Sequence, residues 1–200
     1  MSNHSVLVVA FMGVDGSGKS TIINALKKKL KTKFSKIRYL HLRPYLFLLD
    51  KRTVIKNPHQ INKTNYKFIN FFRILIWLFM YRVYFKFLSY QKKELILFDR
   101  YAHDVLIDNV RYNFNLSKNT ISNILKLFPK PDLWVYLNAP KHILNKRKQE
   151  LSNDELDKQI KKYDLFFKKE RRLLKLNTQK SIQNNLSLIV SKINSISKKN

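Results

Sequence analysis

The chain has 200 residues and a formal net charge of +27, set by forty Lys and Arg against thirteen Asp and Glu. That length suits one domain, spanning 1–200, large enough to bury a core and too small for two ordinary ones. With 44% hydrophobic residues, 26% charged residues and no cysteine, the chain reads as neither disordered nor a membrane bundle, and disulfides, iron–sulfur clusters, thiolate zinc sites and a cysteine nucleophile are excluded. The basic excess runs through both halves and is mostly Lys, which points to a solvated lysine surface rather than to a nucleic-acid or membrane partner. Either way, such a field draws anionic small molecules toward a cleft.

The first predicted element is the continuous apolar run Val6–Phe11, which fits a central parallel strand buried on both faces. No Lys or Arg precedes it and a glycine-rich turn follows, so it does not read as a signal peptide, and a cytoplasmic protein is expected. Ile22, Ile23, Leu26 and Leu30 then fall at helical spacing among lysines. Further strands are expected at Ile37–Leu42, Leu95–Phe98 and Leu133–Leu137, with a weaker one at Leu173–Leu176. The intervals between them are long enough for crossover helices, so the alternation predicts an α/β fold on a parallel five-stranded sheet. Residues 66–90 are the most apolar interval, interrupted by Arg73, Arg82 and Lys86. Their uninterrupted core is too short to span a bilayer, which favours a buried crossover helix over an exposed aromatic face for dimerisation or membrane contact. Pro140 suits the first turn of a helix, and a last helix is expected over 181–196.

The turn after the first strand carries the sharpest chemistry. Gly13-Val14-Asp15-Gly16-Ser17-Gly18-Lys19-Ser20-Thr21 matches the phosphate-binding loop, and the chain's three glycines all lie within it. Glycine lets backbone N–H groups approach phosphate oxygens, Lys19 adds a cation near the β and γ phosphates, and the Ser20 hydroxyl can ligate Mg²⁺. A second site follows from a strand end: Leu95–Phe98 runs into Asp99-Arg100-Tyr101, which sets an acid and a guanidinium where ligands sit in open α/β sheets. Asp99 there can hold Mg²⁺ through water, and Arg100 can neutralise a phosphoryl group in flight.

With both motifs in hand, the chain resembles the thymidylate kinase family of P-loop nucleoside-monophosphate kinases. Asp15 within the loop and the Asp99-Arg100-Tyr101 triplet are family features, and Pro131–Leu137 is similar to the family's fourth strand. The resemblance implies a three-layer P-loop NTPase fold with helices on both faces of the sheet. It also implies ATP with Mg²⁺ as donor and a nucleoside monophosphate, dTMP foremost, as acceptor, with a homodimer through the 66–90 helix. Carried over by residue, Gly13, Asp15, Gly16, Ser17, Gly18, Lys19, Ser20 and Thr21 would bind ATP, and Ser20 and Asp99 the metal. Lys19, Asp99, Arg100 and Arg147 would be the catalytic groups, Arg147 standing at the start of a short lid near 146–158. Gly16 occupies a position where some members place a basic residue, so the lid would supply that charge.

Acceptor candidates are Asp15, Arg43, Arg82, Arg100, Tyr101 and Asp104. Arg43 and Arg82 either grip the acceptor phosphate or are surface cations. Tyr101 either lines the pocket or packs, and Asp104 and Asp108 either meet acceptor hydroxyls or serve as caps and partners of Arg111. The chain departs from the family after its second strand, where His41-Leu42-Arg43-Pro44-Tyr45 replaces an Arg-Glu-Pro-Gly-Gly segment. It departs again after Tyr101, where Ala102–Tyr112 lacks the family's serines and Ala-Tyr-Gln element. These departures mark a divergent branch and leave a sugar or other metabolite open as acceptor, and a nucleic-acid- or membrane-associated NTPase as a third reading. The five histidines show no metal-ligand spacing and read as structural or surface residues.

Overall fold

The computed structural model describes residues 6–42, 67–147 and 152–198. Its strands are β1 (Leu7–Met12), β2 (Lys36–His41), β3 (Glu94–Asp99), β4 (Leu133–Asn138) and β5 (Leu173–Asn177), each within a residue or so of the apolar run that announces it. Every neighbouring pair is parallel, in the order β2-β3-β1-β4-β5. β1 is thus paired on both edges and covered on both faces, which is why its sequence is apolar throughout rather than alternating.

Side chains still alternate between two cores. Val8, Ala10 and Met12 join Ile96, Phe98, Trp134 and Tyr136 on one face, while Leu7, Val9 and Phe11 join Leu95, Leu97, Leu133 and Val135 on the other. The second face is closed by α1 (Lys19–Leu30) and α7 (Ile182–Ser197) through Ile22, Ile23, Leu26, Leu186, Ile189 and Ile193. The first face is closed by α2 (Lys67–Leu88), α3 (Asp104–Ile107), α4 (Lys118–Leu125), α5 (Lys141–Arg147) and α6 (Asn153–Phe167). This is the three-layer α/β arrangement that the sequence implies. Ser152 and Glu155 form a capping box at the start of α6, so 153–158 of the expected lid is regular helix, while 148–151 lie outside the described residues.

One expectation needs correction. α2 packs on the sheet through Ile74, Trp77, Met80, Tyr81 and Leu88, but Phe68, Phe72 and Phe79 are 82%, 62% and 63% exposed. Apolar residues crowd both flanks of the helix, and its few charged residues, Lys67, Arg73, Arg82 and Lys86, do not gather into a polar face that would reveal that only one flank is buried. Its length and hydropathy also meet those of a membrane-crossing helix, although one flank is committed to the core of the fold.

Candidate active site

β1 ends at Met12 and the chain doubles back into α1 through residues 13–18. Gly13 sits at φ +146°, where a Cβ would lie 2.7 Å from the Leu137 carbonyl oxygen and 2.9 Å from Ser17 Oγ, so no side chain fits. Gly18, at φ +90°, takes the N-cap position of α1. The starts of α4, α6 and α7 are each capped by a serine hydroxyl, from Ser117, Ser152 and Ser181. α1 has no side-chain cap and no acid in its first turn, so its leading N–H groups and positive dipole end remain available to an anion.

Lys19 is buried in this turn, and its ammonium donates to the carbonyls of Gly13 at 2.8 Å and Val14 at 3.0 Å. Burial, reinforced by the nearby Arg100 charge, pushes Lys19 down to about 8, against the opposing pull of Asp15 and Asp99.

The parallel register sets Phe11 beside Asp99, which brings the end of β3 level with the loop. Asp99 Oδ2 accepts from Ser20 Oγ at 3.5 Å and from the Tyr39 hydroxyl at 3.1 Å, and stands 4.0 Å from His41 Nδ1. Its Oδ1 is buried without a hydrogen-bond partner among the described residues. Arg100 then adopts a left-handed backbone, φ +68°, and its N–H donates to the Phe11 carbonyl at 2.9 Å. Such a conformation in a non-glycine residue is uncommon and clusters at functional sites.

The Arg100 guanidinium is 3% exposed and bridges Asp15 Oδ1 and Asp104 Oδ2, with the Tyr163 hydroxyl 3.3 Å away. Asp104 in turn accepts from the Tyr112 hydroxyl at 2.6 Å and lies 2.5 Å from that of Tyr163. Burial opposes ionisation of Asp104, but Arg100 and the two hydroxyls outweigh it and hold the carboxyl below the usual carboxylate range. Burial likewise opposes the Arg100 cation, which Asp104 above all keeps charged.

A second guanidinium completes the wall. Arg111 Nη2 donates to Asp15 Oδ2 and its Nε to Asp108 Oδ2 at 3.2 Å, while Asp108 Oδ1 accepts the Arg111 N–H at 3.1 Å. Gln159 Nε2 donates to the same Asp108 Oδ2 at 2.7 Å. Across the loop, Arg147 at the end of α5 donates to the Gly16 carbonyl at 3.2 Å.

These groups line a cleft of about 530 Å³. It gathers Asp15, Gly16, Ser17, Gly18, Lys19, Ser20, Thr21, Asp99, Arg100 and Arg147 from the expected set, with Gly13 behind it as the turn. Three acceptor assignments are corrected. Tyr101 is wholly buried and donates to the Pro129 carbonyl at 2.6 Å, so it packs rather than lines the cleft. Asp104 is fully buried and serves Arg100 and the two tyrosines. Arg82 is exposed and donates to the Leu127 carbonyl, away from the cleft. Arg43 lies outside the described residues. The sequence offers Arg111 only as a partner for Asp104 or Asp108, and its reach to Asp15 has no local signal. Thr178, Lys180, Ile182 and Asn185, which carry the cleft round to the start of α7, likewise belong to no motif. His103 is structural, its ring packed among Tyr101, Phe128, Trp134 and Phe166.

A phosphate loop beside a strand-end Asp-Arg pair, on a parallel sheet of this order, has the makings of a P-loop phosphoryl-transfer enzyme. The model of the thymidylate kinase family matches residues 11–193. The chain belongs to that family and is a nucleotide phosphoryl-transfer enzyme with ATP as donor. A probable thymidylate kinase of Sulfolobus acidocaldarius is 24% identical over 185 residues, covering 88% of this chain and 91% of that protein. In fold, the chain is similar to the thymidylate kinase of Candida albicans, with a TM-score of 0.64 at 18% identity over 98% of this chain and 95% of that one. It is also similar to the deoxyadenosine kinase of M. mycoides, with a TM-score of 0.59 at 20% identity over 94% of this chain and all of that one.

Proposed function

We propose that the chain transfers the γ-phosphoryl group of ATP to dTMP, giving dTDP and ADP. The observation that carries this reading is the meeting of Lys19, Arg100 and Arg111 around Asp15, with Asp99 lining the same cleft. Loop N–H groups and Lys19 take the donor phosphates, and the turn around Thr178–Asn185 offers the far end of the cleft to the donor's nucleoside. The guanidiniums beside Asp15 face the acceptor phosphate, and Arg147 closes from the opposite rim. An acceptor phosphate already carries a negative oxygen, so no general base is needed. Positioning and neutralisation of charge on the equatorial oxygens supply the rate.

Mg²⁺ fits the groups present. Ser20 Oγ and the Asp99 carboxylate are hard oxygen donors 3.5 Å apart, and Asp99 Oδ1 has no other use among the described residues. Ser20 would hold the ion directly and Asp99 through water; when bound, it would neutralise charge on the donor phosphates.

The test is ADP release with ATP and Mg²⁺ across a panel of nucleoside monophosphates, nucleosides and sugars. Turnover led by dTMP is expected. Turnover led by a sugar, or none with any acceptor, overturns the assignment.

The same reading includes a homodimer through α2. Phe68, Phe72, Ile76, Phe79, Val83 and Phe87 recur at intervals of three and four residues and are all exposed, forming a continuous stripe along the helix. Light scattering at micromolar concentration should give twice the chain mass, and Phe79→Glu should halve it. A monomeric wild type would refute the pairing.

A further inference from the structure

We infer that Arg111 is a clamp for the acceptor's anionic group, held in place by Asp108 and Gln159, and that it trades the Asp15 carboxylate for that group when the acceptor enters. The inference rests on the nucleotide-kinase reading and deepens it.

The two guanidiniums that flank Asp15 differ in their freedom to meet a ligand. Arg100 is 3% exposed and is held by Asp15, Asp104 and Tyr163, and turning it outward would leave the buried Asp104 carboxylate without its counter-charge. The Arg111 side chain is 17% exposed and lines the cleft. Its inner side is anchored by Asp108, whose side chain is only 6% exposed and is itself fixed by Gln159. Its outer partner is Asp15, the most exposed carboxylate of the group at 20%. Exchanging that carboxylate for a phosphate swaps one oxyanion for another on the same fork, which suits guanidinium geometry and leaves no buried charge unpaired. Asp15 keeps Arg100 and stands 3.9 Å from Lys19 Nζ, so an anion on Arg111 would sit one carboxylate away from the lysine that faces the donor phosphates.

The experiment measures affinities of the full-length wild type, Arg111→Gln, Arg111→Lys and Asp108→Asn for dTMP, thymidine and ATP by calorimetry. Arg111→Gln should weaken dTMP at least tenfold while thymidine and ATP stay within twofold. Arg111→Lys, which keeps the charge and loses the fork, should fall between. Asp108→Asn, a change to a positioning residue, should lower dTMP affinity less than Arg111→Gln and also leave thymidine unchanged. Should Arg111→Gln fail to fold, Arg111→Lys carries the test, with dTMP several-fold weaker and thymidine unaltered. Equal losses for dTMP and thymidine, or a retained preference for dTMP, would overturn the clamp while leaving the kinase reading intact. A wild type that binds dTMP no better than thymidine would overturn both.

Discussion

The two walls of the cleft are made of different material. The donor wall is nine consecutive residues, 13–21, whose chemistry lies largely in backbone N–H groups, with Lys19 and Ser20 as side-chain additions. The proposed acceptor wall is all side chain: Asp15, Arg100 and Arg111 face the cleft, and Asp104, Tyr112 and Tyr163 stand behind them, drawn from the loop, the end of β3, α3, the turn beyond it and α6 and joined by ion pairs and hydrogen bonds. On the donor wall, groups that meet the ligand can be removed without disturbing the core. On the acceptor wall, the bonds that orient the ligand-facing groups are also bonds that hold α3 and α6 to the sheet.

The largest expected effect tests that coupling. Asp104→Ala removes a fully buried carboxylate and leaves Arg100 charged without its main partner. We expect a loss of about 3–5 kcal/mol in urea unfolding, together with loss of turnover. A variant that kept its stability and lost only turnover would break the contrast between the walls.

Acid should strike the same wall. His103 lies behind it, and burial, with help from the Lys130 charge, pushes the imidazole down to about 3. An unfolded chain takes up that proton near pH 6.5, so the unfolded state binds more protons between about pH 3 and 6.5 and stability falls as pH falls through that window. At about 1.4 kcal/mol per pH unit, this group alone removes about 3 kcal/mol by pH 4. His103→Phe should flatten the pH dependence of unfolding by about that amount. An unchanged slope would mean that the ring is not held neutral.

The donor wall should behave in the opposite way. Lys19→Ala is expected to cost about 10²-fold or more in turnover, with the melting temperature shifted by only a few degrees. The two carbonyls that Lys19 serves, Gly13 and Val14, belong to the loop itself. A variant with near-normal turnover would remove Lys19 from the chemistry.

This difference in material also governs what could be read in advance. All five strands and the last helix follow from apolar runs and periodicity, because the burial of β1, β3 and β4 is written residue by residue. The donor wall was legible for the same reason: the phosphate loop is contiguous, and Gly13 stands where a Cβ would strike the Leu137 carbonyl. The acceptor wall was legible only at Asp15 and Arg100. The reach of Arg111 to Asp15 spans 96 positions of sequence, and nothing local distinguishes it from an i,i+3 partner of Asp108. Tyr101 and Asp104 were misplaced because polar and aromatic residues beside a motif look alike whether they face the cleft or support it. α2 misled in the reverse sense, since apolar residues dominate both its flanks and its few charged residues give no periodic signal of which one is covered.

The smallest effect probes a hydroxyl that touches both walls. Tyr163 lies 3.1 Å from the Gly13 carbonyl on the donor side and 2.5 Å from Asp104 on the acceptor side, and it accepts from Arg100 at 3.3 Å. Its single proton satisfies one acceptor at a time, and Asp104 retains Arg100 and Tyr112 without it. Tyr163→Phe keeps the ring stacked on Tyr136 and Phe167. We therefore expect a loss of about 1 kcal/mol in unfolding, the net worth of one hydrogen bond. Steady-state kinetics should show KM for the acceptor rising a few-fold while KM for ATP holds, because the proton serves Arg100's cage more than the loop. Equal rises in both constants would mean that the walls move as one body, and the division between them would fall.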